Sequence, residues 1–364
     1  MITKVKKINR DASSEKDYEE ASQILRNGGL VAFPTETVYG LGGDGLLSSA
    51  AEKIYAAKGR PSDNPLIIHI ADMESLELLT DKVPEKAKKL ADAFWPGPLT
   101  MIFNKSANVP YGTTGGLETV AVRMPNHPVA LDLIRNSGVL IAAPSANTSG
   151  RPSPTKAEHV YEDLNGKIDM IIDGGAVGIG IESTIVDLTS TIPTILRPGF
   201  ITKGMLEDVI GPVEIDQAIL EKGVKDGLRP KAPGMKYKHY APKGDLTLYD
   251  GEEELVVAAI NQAVKEKQKL NKKVGVIATD ETKERYQADY VVSIGSRKNE
   301  QSIAQHLYGI LRDFDHLEVE YIYGECFSSA NLGQAIMNRL LKAAGYQVVK
   351  VSDKEGRGKI DELR

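Results

Sequence analysis

At 364 residues the chain exceeds the roughly 250–300 residues at which one hydrophobic core stops growing, so two domains are expected. Its 41% hydrophobic and 26% charged content is that of a globular protein. A net charge of -5 and a pI near 5.8 argue against a dedicated nucleic-acid binder, whose pI usually lies above about 9, and leave room for a local basic patch.

The single cysteine, Cys326, excludes an internal disulfide framework and suits a reducing cytoplasm. The basic start, from Met1 to Lys7, runs into Asn9, Arg10 and Asp11 instead of an apolar stretch, so it does not read as a signal peptide. No run of about 18 apolar residues is present, so no membrane span is expected. The six histidines are scattered, without metal-ligand spacing.

Residues 17–27 read as a helix, with Tyr18, Ala21, Ile24 and Leu25 on one face and Gly28-Gly29 as its stop. A short buried strand at 30–33 runs into Thr35-Glu36-Thr37. Ser48 or Ser49 can cap a helix that ends near Ala57 and delivers Lys58 and Arg60. A strand follows at 66–70, a helix at 84–94, and a rigid turn at Trp95-Pro96-Gly97-Pro98. Strands are expected at 99–103, 120–124 and 139–143, with a helix at 127–136. A helix at 156–164 and strands at 170–173, 183–188 and 194–196 complete the block. Consecutive strands joined only by loops indicate a twisted mixed sheet with helices outside it.

The next stretch, 211–244, is rich in glycine and proline and has little periodicity. It reads as a linker of unusual length. A regular α/β alternation follows: strands at 246–249, 274–278, 290–294, 319–325 and 347–351, with helices at 252–268, 301–314 and 332–344. The expected domains are therefore 1–210, a linker at 211–244, a smaller α/β domain at 245–352 and a charged tail at 353–364.

Three polar, Pro/Gly-rich strings interrupt the first domain: 33–42, 60–66 and 143–150. Buried strands do not need Thr, Glu, Asn and Arg at their ends, whereas a pocket for a phosphate-bearing ligand does. Lys58 and Arg60 can supply cations. Alone, Lys58-Gly59-Arg60 is a solvated helix end favoured by the dipole; Pro61 and Pro65 make it part of a rigid loop. Ser145-Ala146-Asn147 leaves a buried strand, and each residue by itself is ordinary turn material. Arg123 stands on an alternating strand, either as a surface residue or as a fork for a carboxylate or phosphate. His69 reads as a hydrogen-bonded core histidine. The glycines at 174–180 do not follow the dinucleotide fingerprint. No Ser-His-Asp or Cys-His set is visible, which leaves chemistry by positioning and electrostatics.

These segments together resemble the YrdC-type threonylcarbamoyl-AMP synthases in their long, two-domain form. The likeness is carried by 33–41, 58–61, 64–66, 95–100, 123–125, 143–147 with Ser149-Gly150, 182–187 and 197–199. Residues 232–242 resemble the linker of that form. The resemblance implies an α/β twist around an open central cavity, joined to a Rossmann-like C-terminal domain. It implies a nucleotidyltransferase that condenses L-threonine, bicarbonate and ATP, with Mg²⁺ on the ATP phosphates, into L-threonylcarbamoyladenylate and pyrophosphate. The product would feed N6-threonylcarbamoyladenosine formation beside the anticodon through downstream tRNA threonylcarbamoyl-transferase proteins. No tightly bound organic cofactor, no membrane and only weak or indirect tRNA contact are implied.

Carried over by residue, Lys58, Arg60, Ser145 and Asn147 would be catalytic and hold the ATP phosphates, with Asn64 beside them. Thr37, His69, Arg123, Ser145 and Ser183 would surround threonine. Thr119, Thr155 and Arg197 would lie on the nucleotide side, and Tyr240, with His239, would close over the pocket from the linker. An RNA-binding module and a carbamoyl transferase or hydrolase remain the rival readings. The acidic charge and 6% aromatic content oppose the first, and ATP dependence separates the second. Because carbamates and mixed anhydrides hydrolyse readily, a linker lid is expected. Removal of 232–242 is therefore predicted to abolish synthesis while circular dichroism shows a folded first domain; retained activity would refute the lid.

Overall fold

The structure is a computed structural model and describes residues 2–9, 11, 13–220, 240–328 and 330–352. The chain divides into two compact units, Met1–Ser149 with Ser153–Tyr237, and Gly150–Pro152 with Lys238–Arg364. Most of the expected linker (221–239, His239 included) and the tail 353–364 lie outside the described residues. Among the described residues, no helix is long and apolar enough to cross a membrane.

Eleven strands are described in the first unit. They are β1 (Lys4–Lys7), β2 (Val31–Phe33), β3 (Gly40–Asp44), β4 (Ile67–His69), β5 (Leu99–Asn104), β6 (Thr119–Arg123), β7 (Ile141–Ala142), β8 (Met170–Asp173), β9 (Thr184–Asp187), β10 (Thr194–Arg197) and β11 (Glu214–Ile215). Their spatial order is β1-β8-β2-β3-β7-β4-β6-β5-β9-β10-β11. Parallel and antiparallel neighbours alternate irregularly, with β4–β6 and β5–β9 parallel and β5–β6 and β9–β10 antiparallel. The mixed sheet expected from loop-only connections is present. The last strand, β11, pairs with β10 inside the stretch read as linker.

Successive side chains of a strand point to opposite faces, and the core obeys that rule. Val31 and Phe33 join an apolar cluster with Tyr18, Leu25, Leu133 and Ile134 from helices Glu15–Arg26 and Pro128–Ser137, while Ala32 between them joins the larger cluster opposite. The larger cluster also takes Ile68, Met101, Val122 and Val186. Their sequence neighbours turn the other way, where Ile67, Ile102, Ala121, Ile185 and Leu196 form only a small apolar group. That second face of β4, β6, β5 and β9 is left for polar side chains.

Strand β3 escaped the sequence reading because Gly40, Leu41, Gly42 and Gly43 resemble a loop. A Cβ on Gly42 would lie 2.6 Å from Ile141 Cγ2 and 2.8 Å from Phe33 Cε1. The glycine lets these two side chains pack over the strand.

The second unit holds β12 (Asp245–Asp250), β13 (Val274–Ala278), β14 (Tyr290–Ser293), β15 (Tyr321–Glu325) and β16 (Val348–Lys350), in the order β14-β13-β15-β12-β16. Every pair is parallel. Helices Glu253–Gln268, Glu300–His316 and Asn331–Ala343 provide three of the four connections that parallel strands require, and the β13–β14 link holds only the 3-10 turn Lys283–Arg285. This is the open α/β arrangement expected. Counted in chain order the strands lie 3-2-4-1-5, which exchanges the first and fourth strands relative to the dinucleotide-binding order 3-2-1-4-5. Cys326 follows β15, and burial pushes its thiol up to about 12, so it is a packing residue and a poor nucleophile.

Replacing Gly42 by alanine overpacks the contact between Ile141 and Phe33. The expected cost is about 1–3 kcal/mol, read by chemical denaturation; an unchanged stability would show that the neighbours yield freely.

Candidate active site

The polar face of the first unit is organised as one row across five strands. His69 on β4 stands opposite Arg123 on β6, Arg123 opposite Thr100 on β5, Thr100 opposite Ile185 on β9, and Ile185 opposite Arg197 on β10. Residues in cross-strand register share a face. Four of the five carry hydrogen-bonding side chains, and all four are at most 6% exposed. Hydroxyl and guanidinium groups link part of the row. Thr100 Oγ1 lies 2.8 Å from Ser183 Oγ, and Arg197 donates from Nη2 to Ser183 Oγ and from Nε to the Ser183 carbonyl, both at 3.0 Å. Arg197 thus fixes Ser183 at the mouth of β9.

Arg123 lies in the middle of the row. Its Nη1 donates to Thr37 Oγ1 at 2.9 Å and its Nε to the Gly97 carbonyl at 3.3 Å. The Trp95–Pro98 turn, whose Trp95-Pro96 peptide is cis, presents that carbonyl. Thr37 is itself held by Thr35, whose Oγ1 is 2.8 Å from Thr37 Oγ1 and receives the Thr37 and Val38 amides. Arg123 Nη2 lies 2.6 Å from Glu36 Oε2, with side chains only 5% and 11% exposed. The pair is close but misaligned: among the described residues, neither that nitrogen nor either Glu36 carboxylate oxygen makes a hydrogen bond. Beside Arg123, His69 places Nδ1 at 3.1 Å from the Ile67 carbonyl. Burial, and secondly the Arg123 charge, push its imidazole down to about 3, so His69 is neutral at physiological pH.

The second group assembles around Lys58. Helix Ser48–Lys58 ends at Gly59 in the left-handed conformation, φ 62°. The Gly59 amide bonds to the Ala56 carbonyl and the Arg60 amide to the Tyr55 carbonyl, closing the last turn as glycine C-caps do. Lys58 is only 2% exposed. Its ammonium donates to the Ser145 and Asn147 carbonyls and lies 3.5 Å from Asn147 Oδ1. Ser145 Oγ in turn donates to Asn147 Oδ1 at 2.6 Å. The lysine therefore clamps the very loop with which sequence pairs it. Arg60 folds the next loop: Nε donates to the Asn64 carbonyl at 3.2 Å and Nη2 to the Pro65 carbonyl at 3.1 Å. Among the described residues, the buried Asn64 Oδ1 has no hydrogen bond. Backbone bonds join the two groups, since the Ala146 amide donates to the Tyr39 carbonyl and Ser145 bridges Gly40.

Thr37, His69, Arg123, Ser183 and Arg197 are thus gathered around one sheet row, and Lys58, Arg60, Asn64, Ser145 and Asn147 around adjoining loops. Thr119 opens β6, four residues before Arg123 on the same face, about 13 Å along the strand. Thr155 turns to His159, which accepts its amide at Nδ1 at 3.2 Å. Tyr240, at φ 65°, belongs to the second unit, where its ring stacks on Tyr308 at 5.2 Å. Sequence reasoning gave no role to Glu36, Thr100 or the Gly97 carbonyl. Each stands in a string that it singled out, yet only the strand register brings them to Arg123.

The comparisons place this mixed-sheet unit among the YrdC-type α/β domains. The Sua5/YciO/YrdC family model, described as "Telomere recombination", matches residues 23–199, and the model for the threonylcarbamoyl-AMP synthase C-terminal domain matches 201–345. The threonylcarbamoyl-AMP synthase of Bacillus subtilis is 50% identical over 93% of this chain and 96% of its own length. That of Pyrococcus abyssi is 49% identical over 94% and 98%. The crystal structure of P. abyssi Sua5 complexed with L-threonine superposes with a TM-score of 0.89 at 47% identity, covering 97% of this chain and 100% of that one. The chain belongs to the threonylcarbamoyl-AMP synthase family, in its two-domain form.

The depressed His69 pKa has a measurable consequence. Its ordinary value is 6.5 and its folded value about 3, so below pH 6.5 the unfolded chain takes up a proton that the native state refuses. The stability this histidine contributes is complete above that pH and is lost as pH falls toward 3. Stability of the parent protein should fall more steeply than that of His69→Gln, by up to about 1.4 kcal/mol per pH unit. Superimposable slopes in denaturant titrations would disprove a neutral buried imidazole.

Proposed function

We propose that this chain makes L-threonylcarbamoyladenylate and pyrophosphate from L-threonine, bicarbonate and ATP. The observation that carries the reading is the sheet row itself, met in a chain half identical to named synthases along nearly its whole length. A P. abyssi relative matched along its whole length has been crystallised with L-threonine, which supports an amino-acid site in this fold. Arg123 takes the threonine carboxylate, as a planar guanidinium suits. Thr37, Ser183 and the neutral His69 offer hydrogen bonds to the hydroxyl end. Ser145 stands between the two ligands.

The threonine amine, once its ammonium has given a proton to solvent, attacks the bicarbonate carbon and expels water to form a carbamate, whose oxygen attacks the α-phosphorus of ATP and expels pyrophosphate. Lys58, Arg60, Asn64 and Asn147 stabilise the charge on the phosphates, a positioning and electrostatic task without a covalent enzyme intermediate. Mg²⁺ carried by the ATP phosphates would neutralise further charge there; Ser145 Oγ and Asn147 Oδ1, 2.6 Å apart, are the hard oxygen donors it favours. For Thr119, Thr155 and Tyr240 the nucleotide role rests on the family resemblance alone. The acidic net charge of -5 supports delivery of the product to separate transferases over direct tRNA binding. A single cysteine suits cytoplasmic work.

The test is a pyrophosphate-release assay with ATP, Mg²⁺ and bicarbonate, with and without L-threonine, and with serine as the control. Release that requires threonine and bicarbonate is expected, reduced at least about a hundredfold in Arg60→Ala and in Asn147→Ala. Folded protein that binds ATP and releases no pyrophosphate would overturn the reading.

A further inference from the structure

Arg123 has one corner of its guanidinium left over. Nη1 is committed to Thr37 and Nε to the Gly97 carbonyl. Nη2 faces Glu36 at 2.6 Å without the alignment of a hydrogen bond. Both Glu36 oxygens are buried, and among the described residues neither accepts a hydrogen bond. Among the described residues, Nη2 and Oε2 have only this one misaligned contact, and Glu36 Oε1 has no hydrogen-bond partner; buried polar atoms are nearly always well partnered, so the pair calls for an explanation. Removing one partner of a buried ion pair is strongly destabilising, which accounts for the two charges staying together. It does not account for their poor alignment.

The charges also pose a question of recognition. A ligand carboxylate approaching Arg123 meets the Glu36 carboxylate beside it. A plain hydroxy acid would suffer that repulsion with nothing in return. An α-amino acid zwitterion brings a carboxylate and an ammonium a few ångströms apart, the complement of an arginine–carboxylate pair. We infer that Glu36 receives the α-ammonium of the amino-acid substrate while Arg123 receives its carboxylate, so that the pair selects zwitterions over anions. This inference rests on the synthase reading and extends it. On binding, one poorly aligned ion pair is exchanged for two charge-assisted contacts, each stronger than a neutral hydrogen bond. Glu36 also fixes the direction of the amine, the atom that must meet bicarbonate. Part of the discrimination is repulsive, as specific sites commonly are.

The experiment compares two ligands on two proteins by calorimetric titration without ATP. The ligands are L-threonine and (R)-3-hydroxybutanoate, which lacks only the amino group. The proteins are the full-length parent and Glu36→Gln, which keeps shape and removes charge. The parent should prefer threonine strongly. In E36Q threonine binding should weaken roughly ten- to a hundredfold, while 3-hydroxybutanoate binds as well as before or better, since the repelling charge is gone. ATP affinity and the circular dichroism spectrum should not move. Equal weakening of both ligands would show that Glu36 merely props Arg123, and unchanged threonine binding would show that it does not touch the ammonium; either result overturns the inference and spares the synthase reading. A parent protein that binds no threonine would overturn both.

Discussion

A guanidinium taken out of water needs a partner in each direction it can donate, and Arg123 sets this demand at the centre of the first unit. Its neighbours answer from segments far apart in sequence. The turn at 95–98 offers a carbonyl, the string at 35–37 a hydroxyl and a carboxylate, and strands β4 and β5 fix it laterally through register. A slip of one residue in either pairing would turn every side chain of the row to the opposite, apolar face. The same register therefore sets both the packing of Ile68, Met101 and Val122 and the assembly of the site.

Lys58 repeats the principle on a smaller scale. Its ammonium is held by two carbonyls of the loop it faces, so the cation first organises backbone and only then presents charge. Arg60 does likewise for 64–65. Such groups cost no reorganisation at the moment of reaction, which is the basis of electrostatic preorganisation. It also means that truncating either side chain alters a loop as well as a charge.

Much of this could be read from the chain. Helices and strands with clear periodicity, such as Glu300–His316 and Met170–Asp173, lie within a few residues of their expected limits. Strand β3 was not legible because three of its five residues are glycine. Strand β1 was not because Lys4, Lys6 and Lys7 look solvated, and two of those three are indeed exposed. Helix Lys203–Ile210 lay in the span ahead of the linker where no element was expected. The site strings announced themselves by composition, since Pro, Gly and charge together are unusual at strand ends. Their mutual arrangement was hidden, because pairing of 67–69 with 121–123 leaves no mark on local sequence. For Arg123 the sequence leaves a surface residue and a ligand fork equally open; its burial at 4% removes the surface reading. Tyr240 is assigned by resemblance alone; its ring packs on Tyr308.

The pairing of β1 with β8 has a consequence for the time course of synthesis. Lys4–Lys7 is made before its partner, Met170–Asp173, which emerges more than 160 residues later. At the usual pace of about 5–20 residues per second, the first strand waits on the order of ten seconds or longer beside the ribosome. During that wait an apolar strand would court wrong partners. Its alternation of lysine with little apolar surface, KVKK, keeps the orphan hydrated until its place in the sheet exists. The very composition that disguises β1 as a tail is what lets it survive as one while the rest of the domain is being made.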